Sequence, residues 1–217
     1  MKKFMRVGKT FALVLCVLML GLAACGSKAE ENAEETQVTS VSVKKDGSIS
    51  SKIIEDFAQS YYDAEGLKSM IETSIAEYKT QNSEAQVSLK KCEAAQGVIE
   101  VIMEFGSDRD YAGFNDEDFF AGTIQAANQA GYDLNVTLHA ISDKLEKASI
   151  SKPELLGMGD RHIVIFEAPE TEEGVEAETI RISCFDEILY VGEGVTAVNK
   201  KSADVTLSDG YGIIVFK

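Results

Sequence analysis

The groups able to do chemistry in this chain are four cysteines, two histidines and thirty-six Asp and Glu side chains. The histidines stand apart. His139 lies in Val136-Thr137-Leu138-His139-Ala140, and His162 opens the run Ile163-Val164-Ile165-Phe166. A zinc site takes three or four ligands at set spacings, and neither an HExxH pair nor a second nearby histidine is present. Both therefore read as structural or surface residues. The GxSxG elbow and the SxxK pair of acyl-transfer enzymes are missing. Gly157-Met158-Gly159-Asp160-Arg161-His162 has two glycines of a dinucleotide loop, but it precedes a strand instead of following one, and it reads as a turn. The carboxylates cluster twice, at Asp108, Asp110, Asn115, Asp116, Glu117 and Asp118, and at Glu170, Glu172 and Glu173. Calcium loops alternate oxygen ligands around a glycine turn, a spacing not found here, so both clusters read as solvated loops. Choosing two among so many acids as a catalytic pair would be arbitrary. The sequence assigns no catalytic residue, no metal site and no cofactor.

One cysteine is different. Lys2, Lys3, Arg6 and Lys9 make a basic start, Phe11 to Ala24 is an uncharged apolar run of 14 residues, and Leu22-Ala23-Ala24 leads directly into Cys25-Gly26. A bilayer-spanning helix needs about 20 apolar residues, so this reads as a signal peptide and not as a permanent span. The stretch resembles the lipobox of bacterial lipoproteins. That resemblance implies a diacylglyceryl thioether on the Cys25 thiol, cleavage between Ala24 and Cys25, and anchorage to the outer face of the cytoplasmic membrane. Lipid would then be the one partner in direct covalent contact. Two acyl chains hold a protein stably, each buried methylene contributing about 0.8 kcal/mol. Cys16 lies inside the apolar run and would leave with it.

Removing residues 1–24 takes away four basic residues and moves the formal charge from −15 to −19, 17 basic against 36 acidic. So acidic a body repels phosphate backbones, which excludes nucleic acid as a partner, and repels anionic headgroups. Two prolines and no tryptophan argue against a proline-rich wall spacer, and the lack of tryptophan also weakens a sugar-stacking reading, although seven tyrosines could substitute. About 190 residues suit one domain with its own core.

The elements that would position any site follow from periodicity. Residues 26–37 hold no apolar side chain larger than alanine and read as an acidic tether, spanning roughly 20 Å on average. Residues 38–217 form the extracytoplasmic domain. Val38 to Ile54 reads as a hairpin across Asp46-Gly47, and Asp63 caps an amphipathic helix to Asn82 with Leu67, Met70, Ile71, Ile75 and Tyr78 on one face. A second hairpin, Val87–Cys92 and Val98–Phe105, turns at Ala95-Gln96-Gly97. Residues 107–133 read as helical or irregular around Phe119-Phe120, with a helix from Thr123 to Ala130 ended by Gly131. From Val136 the pattern is mostly strands. Strict alternation puts Cys184 on a face with Ile180 and Ile182 but Cys92 with Ser88 and Lys90. Export permits a Cys92–Cys184 bridge, while one thiol pointing in and the other out argues against it. The expected fold class is α+β, a mainly antiparallel sheet with one long amphipathic helix and one or two short helices.

Ile54-Glu55-Asp56-Phe57 through Tyr62, Gly131-Tyr132-Asp133-Leu134, and Leu189-Tyr190-Val191 with Glu193-Gly194-Val195-Thr196 resemble small lipoproteins of clostridial gut bacteria. The resemblance implies a cell with a single membrane and a domain facing the wall; it implies no activity. The expected function is non-enzymatic binding of a ligand or a protein partner at the cell surface. The alternatives are an envelope hydrolase using carboxylates and an accessory subunit of a membrane complex.

Overall fold

The computed structural model describes residues 38–167, 179–207 and 210–217. Ala24, Cys25, the leader, the tether to residue 37 and the acids Glu170, Glu172 and Glu173 lie outside the described residues. The chain opens with a hairpin, β1 (Ser40–Val43) and β2 (Ile49–Asp56), then helix α1 (Ala64–Gln81) and a second hairpin, β3 (Val87–Ala95) and β4 (Val98–Phe105). Helix α2 (Asp108–Asn115), strand β5 (Phe119–Thr123) and helix α3 (Ile124–Ala130) follow, then β6 (Leu138–Ala140), β7 (Ser149–Ile150) and helix α4 (Lys152–Leu156). The rest is strand: β8 (His162–Glu167), β9 (Thr179–Ser183), β10 (Ile188–Val191), β11 (Val195–Ala197), β12 (Ser202–Thr206) and β13 (Tyr211–Phe216).

Two sheets result, one of seven strands in the order β11-β12-β9-β1-β2-β4-β3 and one of six in the order β5-β8-β13-β10-β6-β7. The expected α+β fold is therefore overturned: the described chain is mostly β, thirteen strands in two sheets, with the helices as accessories. The reason lies in the apolar runs at Ile163–Phe166 and Ile213–Phe216, which leave no polar face. Val164, Phe166, Ile214 and Phe216 pack with the inner face of the seven-stranded sheet. Their alternates Ile163, Ile165, Ile213 and Val215 pack with Ile124 and Ala127 of α3 and Leu155 of α4. A strand buried on both faces needs a layer on each side, which makes the six-stranded sheet the middle layer.

The seven-stranded sheet keeps the ordinary alternation. Ile99, Val101, Met103 and Phe105 of β4 are buried, while Val98, Glu100, Ile102 and Glu104 are half-exposed on the other side. Helix α1 covers the β3–β4 end of the inner face through Ile71, with Leu67, Ile75 and Tyr78 beside it. Asp63 caps this helix, its carboxylate accepting the Glu65 N–H at 3.1 Å, which satisfies one of the orphan donors of the first turn. The residues expected to be helical or irregular around Phe119-Phe120 are instead strand β5, because they pair with β8 from Phe119↔Phe166 to Thr123↔His162.

Register fixes which loops meet. Thr39, just before β1, bonds Ile54 through its hydroxyl. At the other end of β1, Val43 faces Ile49, Ile49 faces Phe105, and Phe105 faces Val87. The Ser48, Gln86 and Gly106 corners thus share the end of the sheet opposite to where residue 38 joins it.

Candidate functional site

The acids of the 108–118 stretch are the first candidates for chemistry, and the fold gives most of them structural work. Ser107 caps α2 by accepting the Asp110 N–H at 3.1 Å. Asp108 accepts the Ala121 N–H of β5 at 3.1 Å, and Asp110 accepts the Gln86 N–H at 3.3 Å. The Tyr111 hydroxyl donates to Glu117 at 3.1 Å. Tyr132 and Tyr211 donate to the two oxygens of Asp118, at 3.0 and 3.1 Å. Burial, then the bond to Asp118, pushes the Tyr132 hydroxyl up to about 12; for Tyr211 the bond comes first, also upward. Tyr111 is buried and held well above the usual phenol range by desolvation and then by Glu117. These carboxylates point to different donors on different elements, and no group of three or more His, Cys, Asp or Glu able to hold a metal occurs among the described residues.

His162 stacks on Phe216, with ring centroids 5.2 Å apart, meets Phe185 edge-on, and lies 3.2 Å through Nδ1 from the Lys217 carbonyl. It is a packed structural residue, and His139 is exposed on β6. The Gly157–Arg161 segment is a turn between α4 and β8 whose Gly159 and Arg161 carbonyls accept the N–H groups of Gln125 and Ile124.

The cysteines correct the alternation argument. Cys184 is buried at 5 % exposure, as its strand pattern indicates. Cys92 does not point outward with Ser88 and Lys90: the β3–β4 register shifts between Leu89 and Lys91, so Cys92 faces Val101 and packs on the core. A bulge at Lys90 flips every later side chain to the opposite face, which simple alternation misses. Both thiols are free. Cys92 is on β3 and Cys184 follows β9, four places away in the sheet. At about 4.8 Å per strand the gap is roughly 19 Å, well beyond the ~7 Å a disulfide spans.

The described surface carries a shallow, open groove of mixed polar and apolar lining. Two depressions of about 360 and about 670 Å³ adjoin across Ala85, Gln86 and Gly106. The larger is walled by Tyr78, Gln81, Asn82 and Glu84 on one side and by Ser107, Arg109 and Asp110 on the other. The smaller runs on to Ser48, Lys79, Ser88 and Glu104. Its floor is set by a close approach, since a Cβ on Gly106 would stand 2.7 Å from Gln86 Cβ and 3.1 Å from Asp110 Oδ2. The Gly106 N–H donates to the Gln86 carbonyl at 2.7 Å, tying the corner shut beneath the groove. Glu104 is paired with Lys44, whereas Lys79 and Arg109 are in no ion pair among the described residues.

Sequence reasoning did not find this groove. The amide-rich loop Gln81–Gln86 was readable as a connection, but its meeting with Gly106–Asp110 depends on the register that sets Val87 opposite Phe105. No family model, no curated protein and no solved structure matches this chain.

Proposed function

We propose that this protein is a lipid-anchored, extracytoplasmic binding domain without catalytic activity, held to the membrane through Cys25 and taking its ligand in the groove around Gln86 and Gly106. The observation that carries the reading is placement. The groove lies at the end of the seven-stranded sheet opposite to where residue 38 joins it, so a tether attached at that point does not obstruct it. From Thr39 to Val43 this is about 14 Å along the strand direction, at roughly 3.4 Å per residue. The acids of the 108–118 stretch favour binding over hydrolysis, because Asp108, Asp110, Glu117 and Asp118 accept the domain's own donors.

A second reading, an accessory subunit of a membrane complex, draws support from the outer face of the same sheet. There the exposed Thr179 and Thr206 hydroxyls meet at 2.6 Å, and Arg181 makes a bidentate pair with Asp204 at 2.8 and 3.1 Å. Such a face of paired charges and short hydroxyls suits contact with another protein.

The test follows the melting of the purified full-length chain against divalent ions, peptides, nucleotides and oligosaccharides, since a ligand that binds only the folded state raises the midpoint. In parallel, Cys25→Ala is followed by membrane fractionation and intact mass. The reading expects a concentration-dependent shift with one class and loss of lipid mass in the variant. A wild-type membrane protein of unmodified, uncut mass refutes the anchor. A cooperative melt that no class moves transfers the case to the protein-partner reading.

A further inference from the structure

We infer that the ligand of the groove is an uncharged oligosaccharide; the inference rests on the groove being the binding site and adds its chemistry. The lining mixes three kinds of hydrogen-bonding group within one continuous depression. Lys79 and Arg109 only donate, Glu84 only accepts, as does Asp110 beyond the bond it already takes from the Gln86 N–H, and Gln81, Asn82, Gln86 and Ser107 do both. An anionic ligand would face the carboxylates of Glu84 and Asp110, and a cationic one would face Lys79 and Arg109. A sugar hydroxyl both donates and accepts, so a chain of hydroxyls can satisfy all three kinds without placing a net charge beside a like one. Balance of this sort is local, since the chain as a whole carries −15. Beyond a Debye length of about 8 Å the remaining acidic surface is screened at physiological salt, and the local mixture decides.

Shape points the same way. The two depressions share Ala85, Gln86 and Gly106, and a ligand of several units can reach into both. The planar groups on the walls, the Arg109 guanidinium and the Gln81 and Asn82 amides, hold donors and acceptors at fixed angles that match neighbouring hydroxyls in pairs. Tyr78 adds an aromatic ring, held edge-on against Phe114 with centroids 5.6 Å apart. Val87 and Phe105, 1 % and 2 % exposed, form the floor of the smaller depression.

The experiment is a heteronuclear NMR titration of the isotope-labelled full-length chain with chitotetraose and cellotetraose, tetragalacturonate and a mixed tetrapeptide pool. Arg109→Ala and Glu84→Ala serve as groove variants, both exposed and away from the core. Saturable shifts at Gln81–Gln86 and Gly106–Asp110 with a neutral tetrasaccharide, at a dissociation constant of about 1 mM or tighter, support the inference. So does at least a fivefold loss of affinity in each variant. Binding of the uronate or the peptides at these same amides, with the neutral sugars silent, overturns the sugar inference and leaves the groove as the site. Neutral-sugar shifts confined to residues elsewhere, or unchanged in both variants, overturn both. Silence from every probe also overturns the sugar inference.

Discussion

Tyr132→Phe tests whether the acid stretch is structural. In the wild type the Tyr132 hydroxyl donates to Asp118 at 3.0 Å from a half-exposed ring, and its pKa is pushed from 10.0 up to about 12. A folded-state value above the unfolded one means the neutral phenol is favoured by folding. Its contribution is fully present below pH 10 and is lost as pH rises through 12. Two units would correspond to roughly 3 kcal/mol if fully transmitted, and solvent screening at a half-exposed group reduces this to about 1 kcal/mol. Urea unfolding followed by far-ultraviolet circular dichroism at pH 8.5 and pH 11.8 measures it. Wild type should lose about 1 kcal/mol more than the variant over that interval, on top of whatever the other tyrosines and lysines cost both proteins. At pH 8.5 the variant should be weaker by about 1 kcal/mol, the net worth of a hydrogen bond to a charged group at a partly wet site. Equal pH dependence in the two proteins would refute the reasoning. Asp118→Asn gives the complementary spectroscopic check, since it should lower the phenolate steps of both Tyr132 and Tyr211, that of Tyr132 only part of the way because its burial remains.

Three other expectations are independent of this one. Gly131 (φ +91°) has open space around it and Gly194 (φ +69°) does not, a Cβ there lying 2.3 Å from Leu207 Cδ2 and 2.9 Å from the Thr206 carbonyl oxygen. Alanine should therefore cost about 1 kcal/mol at Gly131 and about 1–3 kcal/mol more at Gly194 in chemical denaturation, and equal costs would contradict the close approach. With Cys16→Ala and Cys25→Ala as background, non-reducing unfolding in a thiol reagent should titrate Cys92 and Cys184 as free thiols, Cys184 staying unreactive in the folded protein; two missing equivalents would mean a bridge. The Lys147 ammonium, then Ser151, holds the Glu154 carboxyl down at about 2. Its stabilising effect is present above the ordinary 4.5 and is lost as pH falls toward 2. NMR titration should show Glu154 ionised at pH 3.5 in wild type and a raised midpoint in Lys147→Ala, and an unchanged midpoint would count against the pair.

What the sequence made legible was local. Asp46-Gly47 and Gln96-Gly97 announced their hairpins, Gln96 and Gly97 adopting φ of +53° and +79°, and Asp63 announced α1. What it concealed was non-local. The parallel pairing of β1 with β9 joins residues some 140 positions apart, and no alternation in either segment names the other. The two-sided burial of β8 and β13 was visible as unbroken apolar runs, yet the layer against each face is decided by packing. The Lys90 bulge has no signature in Val87–Cys92, so alternation alone assigns Cys92 to the wrong face. The groove combines the two difficulties: its residues are ordinary polar side chains of two helices, two strands and the loops between, and only the β3–β4 register brings the Gln86 loop beside Gly106.

The parallel seam between β1 and β9 also sets how the domain answers a pull. If load enters through residue 38 and leaves through a ligand held at the opposite end of the sheet, the force runs along the strands. β1 is bonded on both sides, to β2 and to β9. Because interstrand hydrogen bonds lie across the strands, such a pull strains them together in shear instead of peeling them one at a time. Detachment under tension should then be slow and governed by the unfolding rate. The same domain pulled sideways from β11, a three-residue strand at the sheet's edge, would unzip at much lower force.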